Sequence, residues 1–257
     1  MYLALLWQAL GGAVAMPLYF GMHIRWTCKQ RVTKVADPHQ ARALATAFWL
    51  GAVVPMLCLM APTWQGQASR SPATQQGIVA FFQPTPLYAS GIMMAMTRVS
   101  THLAGGLGST TETRKEQALA GRWIRRLYLA AAALAAIGHL YVVGRAFQAA
   151  DGGIVTLTRM YVPSPFPGPA GVGEVLVRGP WLFLQWDGII IALASLSWGV
   201  ILLKQALPAG EATTITVILA SLVGAVVLGP GPTVTLALYV REGYLQEGSE
   251  ERTQRGN

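Results

Sequence analysis

An all-α, polytopic transmembrane helical bundle is the fold class this sequence predicts, and three observations predict it. Hydrophobic residues fill 53% of the 257 positions and charged residues only 12%, about half the charged share of a soluble globular domain. The apolar residues are gathered into runs close to the ~20 residues a helix needs to cross a bilayer. Within those runs apolar and polar residues do not alternate, as the strands of a membrane barrel would require.

Six segments qualify: residues 2–24, 42–62, 77–97, 123–147, 181–204 and 212–240. The first, "MYLALLWQALGGAVAMPLYFGMHI", lacks the basic stretch of a cleavable signal and has the length of a span, so it is expected as the first helix. In the third, "FFQPTPLYA" carries Pro84 and Pro86, which remove backbone donors and should bend the helix. The last is interrupted by "GPGP" at 229–232, where a kink or break is expected. About six spans follow, with a seventh, re-entrant or tilted element left open. Residues 1–241 read as one membrane domain without internal repeats, and 242–257 as a polar, disordered tail.

A net charge of +8 suggests nucleic acid at first sight. The basic residues instead sit beside apolar runs, as in "RWTCKQRVTKVADPHQAR" and "TRKEQALAGRWIRR", which is a topology signal. Loops 25–41, 98–126 and 204–211 hold most of the Lys and Arg and are expected on the cytoplasmic side, and no nucleic-acid partner is expected. Cys28 and Cys58 are too few for a disulfide framework. The loop 148–180, with "YVPSPFPGPAGVG", cannot be helix through its prolines. It is expected as an extended lid in which Tyr161, Val162 and Phe166 pack on the bundle.

Asp187 is the sharpest polar signal. It interrupts the run "FLQWDGIIIALASLSW", roughly 9 Å inside the helix from Trp181. An intramembrane acid is expensive, and functional by default. At 100° per residue Ala194 and Trp198 share its azimuth, with Ile191 nearby, the lining of an apolar cavity with one polar group. The alternative is an Asp bonded to backbone or to a neighbouring Gln, pinning two helices together. His139, in "LAAIGHLYVVG", lies at similar depth, roughly 12 Å from Phe147. It either tunes that acid or is a core histidine bonded to a carbonyl. Gln83, Tyr88, Gln185 and Trp186 complete the candidate set, Trp186 also fitting an interface aromatic. Tyr19 and His23, toward the cytoplasmic end of the first helix, fit the membrane interface better than a catalytic role. No paired-aspartate motif, HExxH, CxxC, GxSxG or Walker loop is present, and nothing offers three convergent metal ligands, so no metal or other cofactor is expected. A lone carboxyl in an apolar site suits proton donation.

Several segments in order, "GAVAMPLYFGMHI", "DPHQARALATAFWLGAVVPMLCLM", "FFQPTPLY", "GHLY", "FLQWDGIIIALASLSW" and "GPGPTVTLALYVRE", resemble the fungal integral-membrane terpene cyclases of meroterpenoid pathways, of the ascochlorin and ascofuranone cyclase type. The match departs at "FFQPTP", where the family pattern places a Trp before the Gln and Phe-Pro after it. The resemblance implies cyclisation of the prenyl chain of a lipophilic substrate in the endoplasmic reticulum membrane. Protonation of a terminal epoxide or alkene would start it, and an upstream epoxidase would supply an epoxide. It further implies Asp187 as the acid, Gln185 or His139 orienting it, and Trp186, Trp198 and Tyr88 stabilising cations through their ring faces. Two other readings stand beside it: a metal-dependent prenyl diphosphate cyclase, and a transporter or carrier of a lipophilic small molecule.

Overall fold

Proline and glycine decide where most of the helices begin, bend and end. The structure, a computed structural model, describes residues 6–7, 10–30, 38–60, 71–103, 110–148, 156–163, 172–208 and 210–255. Among them the chain is helical throughout, with no strand. Phe166, Arg31, Lys34 and parts of the first predicted span lie outside the described residues.

Helix α1, Gly12–Gln30, opens after Gly11, whose φ of +79° is a conformation that glycine adopts without strain. Helix α2, Pro38–Phe48, starts on a proline and runs through a π-helical segment, Trp49–Val53, into α3, Val54–Met60. Pro55 explains the π segment. In α geometry its ring would strike the carbonyl four residues back, and the wider turn removes that clash. Helix α4, Pro72–Phe82, is capped by Ser71, whose hydroxyl accepts from the Thr74 N–H at 3.2 Å. It breaks at Gln83-Pro84 and resumes as α5, Thr85–Leu103, after a 46° bend. The bend expected from Pro84 and Pro86 is therefore present. Next come α6, Thr110–Gln148, a short α7, Leu157–Tyr161, and α8, Val172–Ala206.

The last predicted span is broken where Gly and Pro were expected to kink or break it. It is two helices, α9, Thr214–Val227, and α10, Pro230–Arg255. Gly229 sits at φ +100°, and a Cβ on Gly224 would lie 2.9 Å from Thr233 Oγ1. The run is thus sharply broken between α9 and α10, because a glycine in the left-handed region followed by proline ends one helix and starts another. Helix α10 also takes in residues 242–255, which composition alone reads as a frayed tail; Glu, Gln and Arg are good helix formers.

Among the described residues, three helical stretches are long and apolar enough to cross a membrane: Pro38–Leu59, Leu119–Gln148 and Arg178–Ala206. The bent α4–α5 pair makes a fourth if it is one span. Helix α9, with 14 residues, rises about 21 Å and is short of a bilayer core. The outward surface of these helices is apolar, with Val226 80% and Leu103 82% exposed. A bilayer is the solvent in which such a surface is at no disadvantage.

The chain divides into two compact units, residues 1–9, 33–127 and 246–257 in one, and 10–32 and 128–245 in the other. In the first, α2 packs antiparallel on α5. His39 Nδ1 and Ser100 Oγ stand 2.7 Å apart at one end, and Gly51 lies against Ala89 further along. Ala43 and Ala47, one turn apart and buried, are small residues of the kind that close helix packing in a membrane requires. In the second, α1 and α8 run parallel, with Ala13 beside Asp187, Phe20 beside Trp198 and Cys28 beside Gln205. Leu202 of α8 and Val234 and Leu238 of α10 form its core, against which Tyr128, Leu196 and Trp198 pack.

Candidate functional site

Asp187 does what an N-cap residue does, but from a neighbouring helix. Its Oδ1 accepts from the Ala13 N–H at 2.6 Å. The first bond within α1 runs from the Ala15 N–H to the Gly11 carbonyl, so Ala13 is one of the first-turn N–H groups without a helical partner. Asp187 satisfies it, and the positive end of the α1 dipole faces the carboxylate. The approach is close because Gly12 has no side chain. A Cβ there would lie 2.5 Å from Ile191 Cδ1 and 3.5 Å from Asp187 Oδ2. Ile191, expected near the acid, is therefore at its site, with the Phe183 ring over Gly11.

The other candidates fall in different places. Trp198, eleven residues along α8, stacks on Phe20 at 4.7 Å, and its Nε1–H donates to His23 Nδ1 at 3.2 Å. Gln185 is hydrogen-bonded to α7. Its Nε2 donates to the Arg159 and Met160 carbonyls at 2.6 and 3.2 Å, because at two residues' distance its side chain leaves another face of α8. Trp181 Nε1 donates to the same Arg159 carbonyl at 3.1 Å, so α7 is tied to the first turns of α8. His139 forms no hydrogen bond or ion pair with Asp187. Its ring lies 6.5 Å from that of Tyr161 and covers Gly229, where a Cβ would come within 2.9 Å of Cγ. Partial burial pushes the Tyr161 phenol up from its ordinary value, which keeps it a neutral hydroxyl. Trp186 stays half-exposed at 45%. Gln83 and Tyr88 belong to the first unit, where the Tyr88 ring packs at 5.4 Å on Phe81.

The loop expected as extended over 148–180 therefore contains α7 and, from Val172, the first turns of α8; Gln185 and Trp181 hold α7, Tyr161 lies beside His139, and Val162 stays exposed. Removing the Gln185 donor by Gln185→Leu costs two hydrogen bonds, about 1–2 kcal/mol locally. The expected result is roughly tenfold faster tryptic cleavage after Arg159, with the global unfolding midpoint unchanged. Equal cleavage rates would mean that Gln185 does not hold the segment.

Sequence reasoning passes over a second polar group. Tyr19 and His23, expected at the interface, stand one turn apart on α1 with ring centroids 5.8 Å apart. The fold sets them near Tyr128 of α6 and Arg241 of α10, both close enough for electrostatic interaction. The available signal was a basic residue directly after the apolar run "TVTLALYV". Among the described residues, no three His, Cys, Asp or Glu side chains converge as metal ligands would.

Residues 1–245 match the family model of the CtvD domain. The chain belongs to the CtvD-domain family. Two curated relatives of this CtvD-domain chain are both named terpene cyclase DEP1, from Fusarium langsethiae (28% identical) and Alternaria brassicicola (27% identical). Each similarity covers 91% of the chain and 66% of the relative. A third, terpene cyclase ascI of Acremonium egyptiacum, is 26% identical over 76% of the chain and 49% of its own length. The chain therefore spans 49% to 66% of the length of these relatives. No solved structure matches it.

Proposed function

We propose that this CtvD-domain protein is a multi-pass membrane terpene cyclase of the endoplasmic reticulum. On this reading it closes the prenyl chain of a lipophilic, meroterpenoid-like substrate by proton-initiated carbocation chemistry. The observation that carries the reading is the similarity, over nine tenths of the chain, to proteins named terpene cyclases. An acid inside one of its most apolar helices accords with it.

In this scheme the protonated Asp187 carboxyl gives its proton to a terminal epoxide oxygen or alkene carbon. The charge left on the carboxylate is stabilised by the Ala13 N–H, already in place, and by the α1 dipole. The carbocation is attacked by the next double bond of the same chain, forming a ring, and the cascade ends when a neighbouring carbon loses a proton or an internal hydroxyl adds and loses one. The proton count returns to its start, so the reaction is an isomerisation. The faces of Trp186 and Trp198 are proposed to stabilise the moving charge without capturing it. His139 and Gln185 would act through the position of α7.

Feeding farnesylated aromatic epoxides and, separately, farnesyl diphosphate to membranes carrying the protein tests this. Cyclised product from the epoxide, unaffected by EDTA, is the expected result. Turnover of the diphosphate alone, abolished by EDTA, would replace the scheme with metal-dependent ionisation.

A further inference from the structure

Arg241 raises a question that the proton-donor scheme leaves unanswered. Its Nε is buried and has no hydrogen-bond partner. Among the described residues, no ion pair neutralises its guanidinium. Glu242, next in sequence, projects about 100° away around α10 and interacts with Tyr128. Removing solvent from a guanidinium nitrogen without supplying an acceptor is costly, and an arginine fork is shaped for two oxygen atoms of an anion. The groups around it suit an oxygen ligand. The Tyr128 hydroxyl and the His23 imidazole both lie within electrostatic reach of Arg241. Trp198 donates to His23 Nδ1. Accepting that bond leaves the proton of a neutral imidazole on Nε2, a donor for a ligand. Four helices, α1, α6, α8 and α10, thus bring together donors and one unneutralised cation beside the apolar rings of Phe20 and Trp198.

We propose that Arg241, with Tyr128 and His23, forms an anion site that binds the acidic oxygen head group, a carboxylate or phenolate, of a lipophilic ligand. The site lies eleven residues of α8 beyond Asp187, about 16 Å along the helix axis. That separation suits an extended chain of three isoprene units with its head at Arg241 and its far end at the acid. Identifying the ligand with the cyclase substrate rests on the function proposed above; the anion site itself does not. The head group then sets substrate choice, and Asp187 meets only the end of a chain of matching length.

The test is binding of tritiated 4-farnesyloxybenzoic acid and of its methyl ester to purified protein in a nonionic detergent, without turnover. The wild type should bind the acid about tenfold or more tightly than the ester. Arg241→Gln should remove that preference and leave ester affinity unchanged, Arg241→Lys should keep part of it, and Asp187→Asn should keep all of it. Should Arg241→Gln not fold, Tyr128→Phe should reduce the preference about threefold. Equal binding of acid and ester by the wild type, or parallel loss of both in Arg241→Gln, would overturn the proposal. So would competition by phosphatidic acid but not by phosphatidylcholine, with no acid-over-ester preference, which would make this a lipid head-group site. Failure of the epoxide feeding experiment with the acid preference intact removes the cyclase reading and keeps the anion site; the reverse pattern removes only the site.

Discussion

Asp187→Asn is expected to lower epoxide cyclisation by about a thousandfold while leaving the fold intact, because the geometry separates the two things this carboxyl can do. The amide oxygen of Asn can still accept from the Ala13 N–H, so the trans-helix cap survives. What is lost is the acidic proton. Asp187→Ala removes both and should lose, besides activity, about 1 kcal/mol of stability, seen as a fall of a few degrees in the unfolding midpoint. Product formation at matched membrane expression and thermal unfolding in detergent read the two effects independently. If Asp187→Asn retains more than roughly a tenth of wild-type turnover, the carboxyl is only a cap and the proton comes from elsewhere.

Gly51→Ala is expected to be the most damaging single methyl added to the first unit. Its Cβ would lie 2.6 Å from Ala89 Cα and 2.7 Å from Ala89 N. These are backbone atoms of α5, so no side chain can turn aside and the helices must separate. A cost of about 2–3 kcal/mol follows. Gly91, on the same helix as Ala89, has open space where a Cβ would stand, with no neighbouring atom within 4 Å. There alanine replaces glycine inside a helix without a clash and should stabilise by about 0.5–1 kcal/mol. Two glycine-to-alanine changes of opposite sign make the test independent of general effects of the substitution. A midpoint for Gly51→Ala within a degree of wild type would mean that α2 and α5 are not in this register.

Both expectations show what one dimension of information carries. That Asp187 is anomalous is legible from sequence, since an acid within an apolar run must be justified wherever the helix goes. Its partner is not, because the Ala13 N–H is one of a helix's orphan donors and every helix start offers several. The same holds for Gln185. Its place beside the acid in "FLQWD" suggested a shared task, yet neighbours along a helix project on different faces, and Gln185 holds α7 instead.

By itself the sequence determined the class of the fold and the chemistry it could carry. Apolar runs of bilayer length require helices, Pro84 and Pro86 bend one of them, and an intramembrane carboxyl needs a partner or a use. These follow from local terms: solvation of side chains and backbone, and the steric limits of proline. Tertiary structure alone decided that Thr233 lies against Gly224 across the break at Gly229, that Asp187 closes the start of α1, and that Arg241 lies with His23 and Tyr128. Each of these depends on which helix faces meet, a choice set by close packing between segments far apart in the chain.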